Sequence, residues 1–277
     1  MGSIYALTAL GFATIYRASG VVNFAQGDMM MIGAMAALVS LRDFHLGQVA
    51  ALLLAVGLCT LLGYLVERIA FRPLIDAPHF TVLLSTVAIG QILRSGVRVF
   101  YGQEVSILPP VLSTEQIDLL GVRVTPLQLG ILGVAAATLI AVAAFFSLAK
   151  LGWGMRATSQ NLRGAAIVGV NVPTVLSATW AMAGALAAIG GVLLAPMIIV
   201  TPDMGVIGNK GFIAAILGGF SSLGGAAAGG FILGVVEIIV GVYVTSAFKD
   251  VVVFVLLLGV LAALPNGIFG KATVSRV

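Results

Sequence analysis

An all-α, polytopic membrane helix bundle is the fold class this sequence predicts, and three observations predict it. The chain of 277 residues is 60% hydrophobic and only 9% charged, against about 25% charged residues in a soluble domain. Apolar runs close to the ~20 residues that carry a helix across a bilayer recur from end to end. The third observation is a polar, glycine-rich interruption of one such run, Leu217-Gly-Gly-Phe-Ser-Ser-Leu-Gly-Gly-Ala-Ala-Ala-Gly-Gly230. Backbone groups freed at a helix break cannot face lipid, because each unsatisfied group costs several kcal/mol. Such a break has to be covered by protein or line a wet cavity, as broken segments do in transport proteins. No long hydrophilic stretch leaves room for a second domain, so residues 1–277 read as one transmembrane unit.

About eight hydrophobic segments follow in order: about 2–16, 22–41, 49–66, 80–100, 126–149, 174–196, a broken pair 209–219 with 226–246, and 250–269. The first opens without a basic stretch before its apolar run, which argues against a cleaved signal peptide. It is short for a crossing, and a natural helix that starts upstream is the expectation. The second follows a polar break, Asn23-Phe-Ala-Gln-Gly-Asp28. Asp28 sits where a helix dipole favours a carboxylate and is read as an N-terminal cap. The alternative has Asn23, Phe24, Gln26, Gly27 and Asp28 lining a path beside unwound chain. Met29, Met30, Met31 and Met35 form an adaptable apolar stripe, for packing or for contact with an apolar substrate. Cys59 is the single cysteine and lies in an apolar helix, so neither a disulfide framework nor a thiol metal site is expected.

Arg94 and Arg98, four apart, share one face of the fourth segment, where snorkelling to headgroups is the default and path lining the alternative. The loop from Tyr101 to Pro126 carries three acids, one base and Pro109-Pro110, and has room for a short element or an external partner. The segment from Lys150 to Pro173 is cationic and rich in small residues. It reads as one short helix from about Arg156 to Val168, with Pro173 at the start of the next span. Ala165, Ala166 and Ile167 would offer a compact apolar docking surface.

In the broken pair, Gly225-Ala-Ala-Ala-Gly229 and Gly230-Phe-Ile-Leu-Gly234 both fit the small-xxx-small spacing that lets helix backbones approach in lipid. Gly218, Gly219, Ser221, Ser222, Gly224 and Gly225 form the break itself. Its serines either meet polar groups of a substrate or cap the helix that follows. Gly229, Gly230, Gly234 and Glu237 are assigned to helix packing. Glu237, a carboxylate at membrane depth, needs a partner or water.

The charges orient the bundle. With the N-terminus outside and the broken pair re-entering from outside, the inner loops hold Arg17, Arg68, Arg72, Lys150, Arg156, Arg163, Lys271 and Arg276 against Glu67 and Asp76. The outer loops hold Arg42, Arg123, Lys210 and Lys249 against Asp43, Glu104, Glu115, Asp118, Asp203 and Asp250. Eight inner bases against four outer ones is the positive-inside asymmetry. That bias also explains the formal charge of +4 without invoking nucleic acid. Interrupted segments in both halves hint at an internal repeat.

Five stretches carry a family resemblance: Gly2-Ser-Ile-Tyr-Ala-Leu; Val22-Asn-Phe-Ala-Gln-Gly-Asp28; Met155-Arg-Ala through Gly169-Val-Asn171; Phe212-Ile-Ala-Ala-Ile-Leu-Gly-Gly through Glu237; and Lys249-Asp-Val-Val-Val-Phe through Leu264-Pro-Asn-Gly-Ile-Phe-Gly270. Over nearly its whole length the chain resembles permease subunits of bacterial ABC importers for branched-chain amino acids, most closely the H-type subunit. The resemblance implies an inner-membrane half-channel that pairs with a second, homologous permease. It further implies two cytoplasmic ATP-binding subunits docked on the 150–173 loop, through Arg156, Ala157, Asn161, Ala165, Ala166, Gly169 and Asn171. An extracytoplasmic binding protein would deliver the substrate. Gln26 and Asp28 stand where the family commonly has His and Glu, and Trp153 and Gln160 where it often has a basic and an acidic residue.

The expected function is therefore ATP-driven import by alternating access, without a cofactor in this chain, since ATP would be bound by the partners. No Gly-x-x-x-x-Gly-Lys-Ser/Thr phosphate loop occurs in the sequence. Urea or short amides remain alternative cargoes. An ion-coupled carrier is a further alternative, with Glu237 and Asp28 as its candidate acids. An intramembrane enzyme has no Ser/His or paired-Asp constellation to support it.

Overall fold

The computed structural model describes residues 1–102, 107–110, 112–119 and 121–270. Glu104, Lys271 and Arg276, counted in the charge bias, lie outside the described residues. Helix α1 (Gly2–Ser19) ends at Gly20, whose left-handed φ of 71° lets its N–H close on the Tyr16 carbonyl. The chain stays non-helical through residue 25, and α2 (Gln26–Arg42) starts four residues later than the sequence suggests. The reason is local: Asn23 Oδ1 takes the Ala25 N–H at 3.1 Å, and Thr86 takes the Phe24 N–H at 3.2 Å. An Asx turn and a neighbouring helix thus satisfy amides that a longer α2 would use.

Helix α3 (Gln48–Val66) widens into a π-turn, Glu67–Phe71, and tightens into a 3₁₀ turn, Arg72–Leu74. Pro73 has no amide for a further turn. Helix α4 (His79–Tyr101) leads into the long loop, which does hold a short element. Strands β1 (Ile117–Leu119) and β2 (Val122–Val124) pair antiparallel, with Asp118 opposite Arg123. Thr125 and Gln128 then form a capping box for α5 (Pro126–Leu148).

The single helix expected over Arg156 to Val168 is instead two, α6 (Lys150–Gln160) and α7 (Leu162–Ile167). Asn161 separates them because its Oδ1 accepts the Gly164 N–H at 2.9 Å and restarts the helix. Helix α8 (Val172–Leu194) is capped the same way by Asn171. A 3₁₀ turn, Pro202–Met204, precedes α9 (Gly205–Gly218), which is joined to α10 (Leu223–Tyr243) by a four-residue turn. Helix α11 (Lys249–Ala263) ends well before residue 269, because Pro265 follows and the chain folds back.

Helices α1 and α8 form the core. Fourteen of the 18 residues of α1 are buried, and so are 67% of the residues in the most apolar stretch of α8, whereas the same stretches of α3, α4 and α5 are only 22–28% buried. The outer three therefore present apolar faces to lipid. Among the described residues five helices, α3 with its continuation to Leu74, α4, α5, α8 and α10, are long and apolar enough to cross a bilayer alone. Helices α1, α2, α9 and α11 are shorter, between 14 and 18 residues.

Backbones meet at glycines: Gly33 on Ala188, Gly191 on Met30, Gly63 on Trp180 and Gly184 on Cys59. A Cβ at any of these four would clash with the facing helix, the close approach expected where lipid gives no drive for association. The small-residue pattern noticed on α10 is thus used equally on α2, α3 and α8.

Candidate functional site

The first break lies in the middle of the bundle. Gln26, fully buried at the start of α2, donates from Nε2 to the carbonyl of Ala183, the midpoint of α8, at 2.9 Å. Its Oε1 is buried without a partner among the described residues. From there α2 runs antiparallel to α1, bringing Met30 to Thr8. Helix α9 runs the other way, alongside α1, from Gly205 past Phe212 to a turn beside Tyr16. The two helix N-termini overlap head to head, and Gly27 packs on the backbone of Gly205 and Gly208. No residue with a side chain fits at Gly27.

Each helix N-terminus carries roughly half a positive charge, and acids stand at both. Asp28 is in the first turn of α2, and Asp203 lies in the 3₁₀ turn that leads into α9. Asp28 does not cap α2. Its Oδ1 instead accepts from Arg94 Nε at 3.1 Å and Nη2 at 2.9 Å. Asp203 accepts from Arg98 Nη2 at 2.6 Å. The two arginines fasten α4 to both helix starts, Arg94 through a largely buried pair and Arg98 through an exposed one. Gly90, one turn before Arg94, makes room for the Asp28 carboxylate.

Asn23 is fully buried and aims its amide at Met29, so it builds the turn and does not face a path. Phe24 is half-buried, and its ring meets Phe212 at 5.1 Å between centroids. From Phe212 the rings continue to Phe220 at 5.7 Å and on to Tyr16 at 4.6 Å. Phe12, fully buried, backs Phe212 at 5.6 Å. A ribbon of aromatic rings thus joins one break to the other along a partly open edge. Sequence reasoning named only Phe24. The signal for the rest was available, since aromatics at 12, 16, 24, 212 and 220 all flank a break. The methionines, by contrast, are core: Met29, Met30, Met31 and Met35 are buried to 7% exposure or less.

The second break is a different object. Because α10 spans on its own, residues 219–222 form a turn at its end, level with the end of α1 and not at mid-depth. Gly219 has φ 97°, and Gly218 packs on the backbone of Gly225. Ile268 and Phe269 donate backbone N–H groups to the carbonyls of Leu217 and Gly218 at 2.9 and 3.1 Å. The segment after α11 therefore seals the turn. Ser222 caps α10, its Oγ accepting the Gly225 N–H at 3.0 Å. Ser221 and Gly224 are exposed. Gly229 packs on Ala214, Gly230 on Ala6 and Gly234 on Gly2, so α10 lies tightly against α9 and α1.

Glu237 is paired inside the bundle. It accepts from Lys210 Nζ and from Tyr5 Oη, at 2.6 and 2.7 Å. Lys210 also reaches Asp250 at 2.8 Å, which ties α9, α10, α1 and α11 together.

In the 150–173 segment, Ala165 is buried and cannot belong to an exposed docking surface. Ala166 is exposed, and Ile167 and Val168 protrude at 85% and 76% exposure. Arg156 and Ala157 are half-buried, and Asn161 and Asn171 serve as helix caps. Gly169 turns the chain with φ 87°. Glu67 holds the end of α3 to the start of α8: it accepts from Arg72 at 3.0 Å and from Ser177 Oγ at 2.6 Å.

Lipid-facing helices wrapped around a core where two helix starts meet, with an aromatic ribbon leading away, define a multi-pass membrane permease. Residues 1–261 match the family described as branched-chain amino acid transport system, permease component. The chain belongs to that family of inner-membrane ABC transporter permeases. It is 32% identical to the high-affinity branched-chain amino acid transport system permease protein LivH of Salmonella typhimurium, covering 100% of this chain and 94% of that protein. It is 31% identical to the corresponding permease protein BraD of Pseudomonas aeruginosa, covering 100% and 95%. A probable LivH of Methanocaldococcus jannaschii is 28% identical, over 97% of this chain and 89% of the relative. No solved structure matches the chain at comparable significance.

Proposed function

We propose that this chain is one half of an ATP-driven importer that moves branched-chain and other hydrophobic amino acids inward by alternating access. Energy comes from two separate cytoplasmic ATP-binding subunits, cargo from an extracytoplasmic binding protein, and the other half of the path from a second, homologous permease. The chain itself binds no nucleotide and performs no chemistry.

The observation that carries this reading is the aromatic ribbon from Phe24 to Phe220, which gives an apolar side chain a continuous, partly open surface between two helix breaks. Rings offer broad contact area to aliphatic groups and no hydrogen bond for a hydrated solute such as urea. The protruding Ile167 and Val168, on a segment of net positive charge, are the docking knob for an ATPase. An ion-coupled carrier would draw on Glu237 or Asp28, and Glu237 has both carboxylate oxygens engaged, by Lys210 and Tyr5.

The test is leucine uptake by proteoliposomes holding the permease pair and its ATPases, with binding protein inside the assay. Uptake requires ATP and stops without it. Arg156→Glu combined with Ile167→Asp leaves the chain inserted and cuts uptake at least about tenfold, as expected for the loss of a buried apolar anchor. Uptake that is unchanged in this variant removes the docking assignment, and gradient-driven uptake by the chain alone removes the ATP-driven one.

A further inference from the structure

We propose that Asp28 and Arg94 form a zwitterion-exchange site: the α-carboxylate of a passing amino acid takes the open side of Arg94, and its α-ammonium takes Asp28. This inference rests on reading the first break as part of the amino-acid path, and it names the groups that recognise the charged end of the cargo.

The pair is only half used. An arginine and a carboxylate that serve solely as a brace commonly meet fork to fork, two nitrogens on two oxygens. Here Nε and Nη2 both donate to Oδ1. Asp28 Oδ2 and Arg94 Nη1 have no hydrogen-bond partner among the described residues. Arg98, one turn along the same face, has its Nε buried and equally unpartnered. The side chains of Asp28 and Arg94 are only 8% and 20% exposed, and their unused atoms lie within that small accessible part. Two unused donors and one unused acceptor, of which Arg98 Nε is buried and the other two are reachable from outside, are the complement of a molecule carrying a carboxylate and an ammonium.

The local charge points the same way. Two carboxylates and two guanidiniums cancel, which leaves the two helix N-termini at roughly half a positive charge each. A surplus of about one positive charge favours the carboxylate of an entering amino acid. Beneath the pair, Gly205, Gly208 and Phe212 share one face of α9 (i, i+3, i+7). Asp28 lies against Gly205, Gly27 against Gly208 and Phe24 against Phe212. Charged end and aromatic ribbon therefore follow one track, with the ribbon placed to take the aliphatic side chain. A neutral cargo such as urea could not replace either ion, and opening the pair for it would leave a buried charge unpaired.

The experiment uses the assembled transporter in lipid nanodiscs without binding protein and reads equilibrium binding of radiolabelled leucine. Two half-ligands compete: 4-methylpentanoate, which lacks the ammonium, and 3-methylbutylamine, which lacks the carboxylate. In the native complex neither competes well. Asp28→Asn lowers leucine affinity at least about tenfold and turns 4-methylpentanoate into an effective competitor, whereas Arg94→Gln lowers it similarly and admits 3-methylbutylamine. Unchanged leucine affinity, or an equal loss for every ligand with no change in selectivity, overturns the proposal. Where a variant does not assemble, the native complex decides: phenylglyoxal modification of Arg94, read by peptide mass spectrometry, is slowed by leucine and not by 3-methylbutylamine. No protection at saturating leucine overturns the site while leaving ATP-driven leucine uptake as the separate test of the permease reading.

Discussion

The two helix breaks look alike in sequence and differ in structure. Residues 20–25 interrupt the bundle at the midpoint of α8, and buried groups hold them: an Asx turn, Thr86, and the pair from Asp28 to Arg94 of α4. Residues 219–222 are a glycine turn at the end of a span, closed by backbone bonds from the segment after α11. Conspicuous glycine content marked the second, yet the short polar run marks the place where unwound chain is kept inside protein. A glycine-rich stretch in a membrane chain first reports how closely backbones pack. Polar side chains with buried partners report where a polar object is accommodated.

This contrast can be broken by substitution. The largest effect belongs to Gly27→Leu, whose side chain collides with Gly205 and Gly208. It should abolish leucine uptake and lower the yield of folded complex in size-exclusion chromatography, while Gly224→Leu, facing open space, keeps both. If the two behave alike, the breaks are not different objects. Next comes Lys210→Met, which leaves Glu237 in the bundle without its cation. Losing one partner of a buried pair costs about 3–5 kcal/mol, and Lys210→Met with Glu237→Gln should recover most of the thermal stability lost in the single variant. A smaller change follows from Ser222→Ala, which removes the cap of α10 and costs about 1 kcal/mol in thermal unfolding.

Much of the fold was legible because lipid imposes a simple rule on length and polarity. The long spans fall within a few residues of their expected limits, and the helical hairpin of α9 and α10 was expected from the Ser/Gly break. The misses have physical causes. Asn161 splits the helix expected over Arg156 to Val168, because its side chain caps a new helix at Leu162. The early stop of α11 follows Pro265, whose position was visible and whose consequence was not drawn.

At the candidate site, the residues of the first break were named and their partners were not. Arg94 and Arg98 lie some seventy residues along the chain from Asp28, and periodicity on α4 says which face they share without saying what that face meets. Phe212 and Phe220 join Phe24 only through the folding of α9 back along α1. Local pattern shows the elements, and the pairings between distant elements come from packing.

Cysteine accessibility along the ribbon tests the central claim most directly, since Cys59 is the single native cysteine and is buried. Phe24→Cys and Phe212→Cys are introduced separately into the assembled transporter and exposed to a membrane-impermeant thiol reagent. A path along the first break predicts that both are modified, that the rate changes between nucleotide-free and ATP-trapped complexes, and that leucine slows it. If neither position reacts in any nucleotide state while the complex imports leucine, the cargo does not pass there and the claim is contradicted.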